Sequence, residues 1–149
     1  VGQIEKEYVD TGKVKYVMKN FPLESIHRSA FKLAEAAECA GEQGKFWEMR
    51  DYFFTNQKTV KLEELPQYAE NLGLNRGSFE QCLESGKYAP FIRSDMEEGQ
   101  KASIRSIPSF LLGFPEGDDK VRAVKLLKGA QPFAAFKGAI DGLLAEEKE

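Results

Sequence analysis

The hydrophobic period of this 149-residue chain changes at Pro108, and that change limits the fold more than any other feature of the sequence. From Ser25 to about Ile104 the apolar residues recur at helical spacing. After Pro108 the pattern is that of strands. Ser109 to Leu112 reads as one strand, Pro115-Glu116-Gly117-Asp118-Asp119 as a polar turn, and Val121 to Leu127 as the returning strand of a hairpin. The pair Asp118-Asp119 is turn chemistry. Gly129 punctuates and Pro132 suits the first turn of a helix. Phe133, Phe136, Ile140, Leu143 and Leu144 then line one face of the last segment. Glu146 to Glu149 reads as a frayed, solvated tail.

Upstream, Lys13 to Phe21 sets Val14, Tyr16 and Met18 against Lys13, Lys15 and Lys19. Val17 interrupts the alternation, which predicts a well-buried strand ended by Pro22. Ser25 is then the expected N-cap of a helix with Ile26, Ala30, Leu33, Ala34, Ala37 and Ala40 on one stripe, closed by Gly41 and Gly44. Phe46, Trp47, Met49, Tyr52, Phe53 and Phe54 mark a second helix whose aromatic residues read as core. Leu62 to Leu72 is a third, and Ser78 to Glu84 and Tyr88 to about Ile104 are two more. Val1 to Asp10, with Ile4 and Tyr8 at i, i+4 and Gly12 as a C-cap, reads as the last turns of a helix. No capping residue precedes it, so the chain is expected to begin inside an element.

Composition narrows the functional classes. With 21 basic and 24 acidic residues, a formal charge of -3 and no segment rich in Lys and Arg, nothing here would hold a nucleic-acid backbone. The longest apolar runs are a few residues, short of the roughly 20 a spanning helix needs. His27 is the single histidine and sits at a helix start, where it caps or faces solvent; without a second His or a nearby Cys it anchors no metal. Asp95, Glu97 and Glu98 read as a solvated helix face.

The two cysteines, Cys39 and Cys82, lie 43 positions apart. At about 100° per residue, Cys39 falls roughly 150° from the centre of its helix's apolar stripe and is expected to face away from the main packing surface. Cys82 borders Phe79 and Leu83. Two readings stay open: a structural bridge, stabilising by about 4 kcal/mol through loop closure, or two buried free thiols acting as small hydrophobes. A third, a redox sensor, is weaker, because no basic neighbour surrounds either sulfur.

Three segments carry a resemblance. Tyr8-Val9-Asp10-Thr11-Gly12-Lys13-Val14-Lys15-Tyr16 leading to Phe21-Pro22-Leu23, Cys39-Ala40-Gly41-Glu42-Gln43-Gly44-Lys45-Phe46-Trp47-Glu48-Met49, and Ile107-Pro108-Ser109-Phe110 closely resemble bacterial DsbA-like thiol:disulfide oxidoreductases, which are thioredoxin-fold proteins with a helical insertion. The likeness runs from Val1 to the final helix. It implies an α/β class: one thioredoxin-like domain over residues 1–149, with residues 25–104 as an inserted helical region, lacking its first strand and most of its first helix.

The implied chemistry is thiolate exchange at a CxxC, with cysteine-bearing proteins or peptides as substrates, a redox partner protein, no cofactor and no metal. The implied setting is periplasmic or otherwise extracytoplasmic. This chain has no CxxC, and neither Cys39 nor Cys82 matches one, so it holds none of the family's catalytic residues and is expected to be inactive as it stands. Pro108 is expected to be cis and to leave the backbone of Ile107 free to pair with an extended peptide, which makes Ile107 and Pro108 the substrate-binding candidates. A sheet without its central strand would leave a slot to be filled by an upstream segment, a shifted strand or another chain in an oligomer. The alternative is a redox-inactive peptide-binding or scaffold module using the same Ile107-Pro108 surface.

Overall fold

Residues 1–117 and 120–146 are described by the computed structural model, so the expected Asp118-Asp119 turn and the tail beyond Glu146 lie outside the described residues. The chain forms two units, Lys19–Ala102 and the pair of segments Val1–Met18 and Ser103–Glu149.

The first unit is helical: α2 (Ala30–Gly41), α3 (Phe46–Thr55), a tight turn at Leu62–Glu64 running into α4 (Leu65–Asn71), α5 (Arg76–Ser85) and α6 (Ala89–Lys101). Sequence dictates the ends of α5 clearly. The Asn75 side chain accepts from the Ser78 N–H at 2.9 Å, and Gly86 closes the helix at φ +63°. Helix α2 starts later than expected. Ile26 and His27 both donate their N–H to the Leu23 carbonyl, forming a separate turn, so Ser25 caps nothing and Ile26 is 70% exposed.

On α3, Met49 and Phe53 enter the core at i, i+4, while Trp47 and Phe54 stay at the surface with the Arg50 guanidinium 5.5 and 4.7 Å from their rings. The aromatic cluster is therefore only partly core. Ala36, Ala37 and Ala40 gather with Met49, Leu65, Phe79 and Leu83 in the main cluster. Cys39 belongs to it as well. It is 1% exposed and joined to Cys82 by a disulfide with a Cα–Cα separation of 5.8 Å, because α5 covers the side of α2 that the apolar stripe leaves out.

Asp95 is not on a solvated face. It is 2% exposed and accepts from the Asn20 N–H (2.9 Å), the Asn20 Nδ2 (3.0 Å) and Lys19 Nζ (3.1 Å), while Asn20 Nδ2 also donates to Glu38 at 2.8 Å. This cluster ties Lys19-Asn20 to α2 and α6 and places the start of the helical unit ahead of Ser25. Burial holds the Glu38 carboxyl above its usual range, the hydrogen bond from Asn20 pulls it back in part, and the Asp95 charge adds to the rise.

The second unit holds α1 (Gly2–Ile4), continued by a wider helical turn at Glu5–Val9, then β1 (Ser109–Pro115), β2 (Val121–Lys128) and α7 (Phe133–Glu146). Glu146 is thus the last turn of α7 and not part of a frayed tail. β1 and β2 form an antiparallel pair in which Phe110 faces Leu127, Leu112 faces Lys125 and Phe114 faces Arg122. Phe110, Leu112 and Leu127 pack with Phe136 and Ile140 of α7 and with Ile4 and Tyr8. A bulge follows Leu112, and only glycine fits after it: a Cβ on Gly113 would lie 2.2 Å from the Arg122 carbonyl oxygen.

The expected strand at Lys13 to Phe21 is not formed, and among the described residues the sheet has two strands. Its period-two signal is nonetheless real. Val14, Tyr16, Met18 and Asn20 are covered while Lys13, Lys15, Val17 and Lys19 are exposed. Val17, read as buried, is 56% exposed. Side-chain alternation alone does not make a strand; the segment lacks a ladder partner among the described residues.

Three of these contacts lead to measurable outcomes. Asp95→Ala orphans the Asn20 donors in the interior and should cost about 3 kcal/mol in urea unfolding followed by Trp47 fluorescence. Glu38 holds its proton more tightly folded than unfolded, so its contribution to stability falls as pH rises from the ordinary Glu range through its raised value. The Tm of Glu38→Gln minus that of the parent should therefore be more positive at pH 7 than at pH 4; equal differences would contradict it. Reducing the Cys39–Cys82 bridge should lower stability by about 4 kcal/mol, and denatured protein should show no free thiol until a reductant is added.

Candidate functional site

The chain around Pro108 is defined by which of its backbone groups are already paired. After α6 the backbone turns at Ser103, a non-glycine residue at φ +61°, and then runs without regular structure to Ser109. There it is pinned from two directions. The Ser109 hydroxyl donates to the Ser106 carbonyl at 2.7 Å, and the Gly129 N–H donates to the Pro108 carbonyl at 2.8 Å. The second bond extends the Ser109–Lys128 end of the ladder by one step, and Gly129 makes it from φ +78°, a conformation glycine adopts freely.

The Ile107–Pro108 peptide bond is cis. Pro108 has no N–H and its carbonyl is used. Ile107 is 49% exposed, and among the described residues nothing hydrogen-bonds its N–H or its C=O. Leu111, on the adjoining strand, is also about half exposed at 47%. An exposed residue with both backbone groups unpaired, leading into a strand with a partner on one side only, is suited to pair with an extended peptide.

The other sequence candidates are dispersed. Cys39 and Cys82 are buried and bonded to each other, so the chain holds no free thiol. His27 is exposed in the turn before α2. Among the described residues no group of His, Cys, Asp and Glu could hold a metal ion. No helix of the described residues is long and apolar enough to cross a membrane.

One polar cluster was not anticipated. Tyr8 donates to Asp141 Oδ1 at 2.7 Å, Lys137 reaches Asp141 at 3.1 Å, and the Lys137 ammonium stands 5.7 Å from the Tyr8 ring centre. Burial raises the Tyr8 hydroxyl above its usual range, aided by its bond to Asp141. The Asp141 carboxyl is lowered first by Tyr8 and then by Lys137. The cluster fastens the Glu5–Val9 turn to α7, behind the sheet. Lys137 and Asp141 at i, i+4 were the readable half; the pairing with Tyr8 spans 133 residues and left no local signal.

Comparison with known proteins bears on the fold and the family. A crystallised α-DsbA1 from Wolbachia pipientis superposes with a TM-score of 0.79 at 24% identity, over 97% of this chain and 75% of that one, and shares its fold. Among curated relatives, a protein named Na(+)/H(+) antiporter NhaA 3 from Salinispora tropica is 36% identical over 104 residues, and one named Na(+)/H(+) antiporter NhaA 1 from Salinispora arenicola is 35% identical over 103 residues. These matches cover 70% and 69% of this chain but 16% of each relative, so the chain corresponds to a small part of those proteins. The family model described as Thioredoxin matches residues 1–141, and the chain belongs to the thioredoxin family.

Proposed function

We propose that the chain is most of a DsbA-like thiol:disulfide oxidoreductase domain, that Ile107 and Pro108 receive the substrate peptide, and that the exchanging CxxC comes from residues outside this sequence. The observation that carries the reading is the unpaired backbone of exposed Ile107, beside Pro108, in a chain of the thioredoxin family.

Exchange would proceed by attack of a thiolate on a disulfide sulfur, forming a mixed disulfide and releasing the other sulfur as a thiolate, which is then protonated or attacks in turn. The task of Ile107 is positional: its N–H and C=O hold the substrate main chain extended while the sulfurs meet. The Cys39–Cys82 bridge is too enclosed for this chemistry and serves as a structural tie. That tie also supports an extracytoplasmic, oxidising location, where cysteine-bearing proteins and a redox partner protein would be met. The antiport in the relatives' names is not carried over, since the shared stretch is a small fraction of their length.

The bonded, buried cysteines also favour a second reading, a redox-inactive module that holds peptides at the same surface. Insulin reduction separates the two. With dithiothreitol as the reductant, the 149 residues alone should leave insulin reduction at the uncatalysed rate, whereas the same chain extended by the upstream residues of its gene should accelerate it. In that extended protein Ile107→Ala should raise KM several-fold with Tm unchanged, because the side chain is half exposed. An extended protein that binds peptide but never turns over would remove the enzyme reading and leave the module.

A further inference from the structure

We propose that the outer edge of β2 and the glycine face of α7 form a docking groove for an extended acidic segment of a partner protein, an inference independent of the disulfide-exchange reading. In a chain whose formal charge is -3, one stretch departs from the even mixing of charge expected above: Lys120 to Lys128 carries Lys120, Arg122, Lys125 and Lys128 and no acidic residue. All four are exposed, and among the described residues none is within ion-pair distance of a carboxylate; Arg122 instead lies 5.4 Å from the Phe114 ring. The register places Arg122 and Lys125 on the same face of the hairpin as Phe114 and Leu112, the face turned toward α7.

Beside them lie two open depressions of about 430 and 240 Å³. Arg122 and Phe114 border the first, Lys125 with Gly138 and Gly142 the second, and Val124 and Glu146 belong to both, so the two form one continuous groove. Its helical floor has no explanation within the fold. A Cβ at Gly138 or Gly142 would meet nothing within 4 Å, and neither residue has positive φ. Each glycine costs a helix interior about 1 kcal/mol relative to alanine, yet packing demands neither. The open floor leaves room for side chains from outside.

The chemistry of the occupant follows from the edge. Among the described residues β2 pairs with β1 alone, and every second residue of an edge strand turns its N–H and C=O outward. A second copy docking edge to edge would bring Arg122 and Lys125 against their own kind, and the bulge at Val124 twists the edge away from a flat partner. An acidic segment reverses the first penalty. Carboxylates on one face would meet Arg122 and Lys125; among the described residues Glu146, at the end of α7, is the one acidic residue lining the groove, against two cations. Small apolar side chains would enter over Gly138 and Gly142.

The probe is a labelled eight-residue peptide of alternating Glu and Val, compared with its Lys-Val counterpart, titrated into the 149-residue chain. Saturable binding of the acidic peptide only, with slowed amide exchange along β2, is the expected result. Arg122→Glu with Lys125→Glu should weaken it at least tenfold. Gly142→Leu, which fills the floor with a better helix former, should do the same without lowering Tm. Equal binding of the two peptides would overturn the proposal, as would unchanged affinity in Gly142→Leu, which would mean charge attraction without a groove. A dimer in sedimentation with β2 amides already protected would show a second copy in the groove and overturn it too.

Discussion

Around Pro108 the fold turns on a single backbone bond, from the Gly129 N–H to the Pro108 carbonyl. It fixes the first residue past the end of the ladder and so decides which groups remain unused one residue earlier. Pro108 has no donor and its acceptor is occupied, so the unpaired pair falls on Ile107. The hairpin is held in turn by the packing of Phe110, Leu112 and Leu127 on α7 and the Tyr8 turn. Exposed backbone groups left unpaired beside a rigid support are suited to main-chain recognition, because they are already positioned before a peptide arrives.

The helical unit solves a different problem. Its first residues, Lys19 and Asn20, carry little hydrophobic driving force, and a buried carboxylate holds them in place. Asp95 takes up the Asn20 N–H and amide that would otherwise enter the interior unpaired, and Lys19 answers its charge. The Cys39–Cys82 bridge then joins α2 to α5 across 43 residues. Polar closure and covalent closure thus act on the same helix, α2, from Glu38 on one side and Cys39 on the other.

The hairpin, the final helix and the order of the helices were legible because each rests on local pattern: a change of period at Pro108, Gly41 and Gly44 after the first apolar stripe, and Gly129 after the hairpin. The thioredoxin-like fold was legible through the three segments that carry the resemblance. What escaped had long-range causes. The alternation of Val14, Tyr16 and Met18 marks which side is covered but cannot tell whether a neighbouring strand will pair with it. Cys39 appeared to face away from its helix's packing surface because the stripe from Ile26 to Ala40 marks one side only, and the partner on the other side, α5, lies far along the chain. Asp95 looked solvated among acidic neighbours for the same reason, since its donors precede it by 75 residues.

The claim most exposed to test is that Ile107 is the receiving residue. Backbone NMR of the 149-residue chain, titrated with an extended cysteine-bearing peptide, reads it directly. The account predicts that the Ile107 amide shifts and its exchange slows by at least tenfold, with smaller changes confined to Ser106–Leu111. An Ile107 amide that stays unchanged at saturation, while perturbations gather elsewhere, would contradict it.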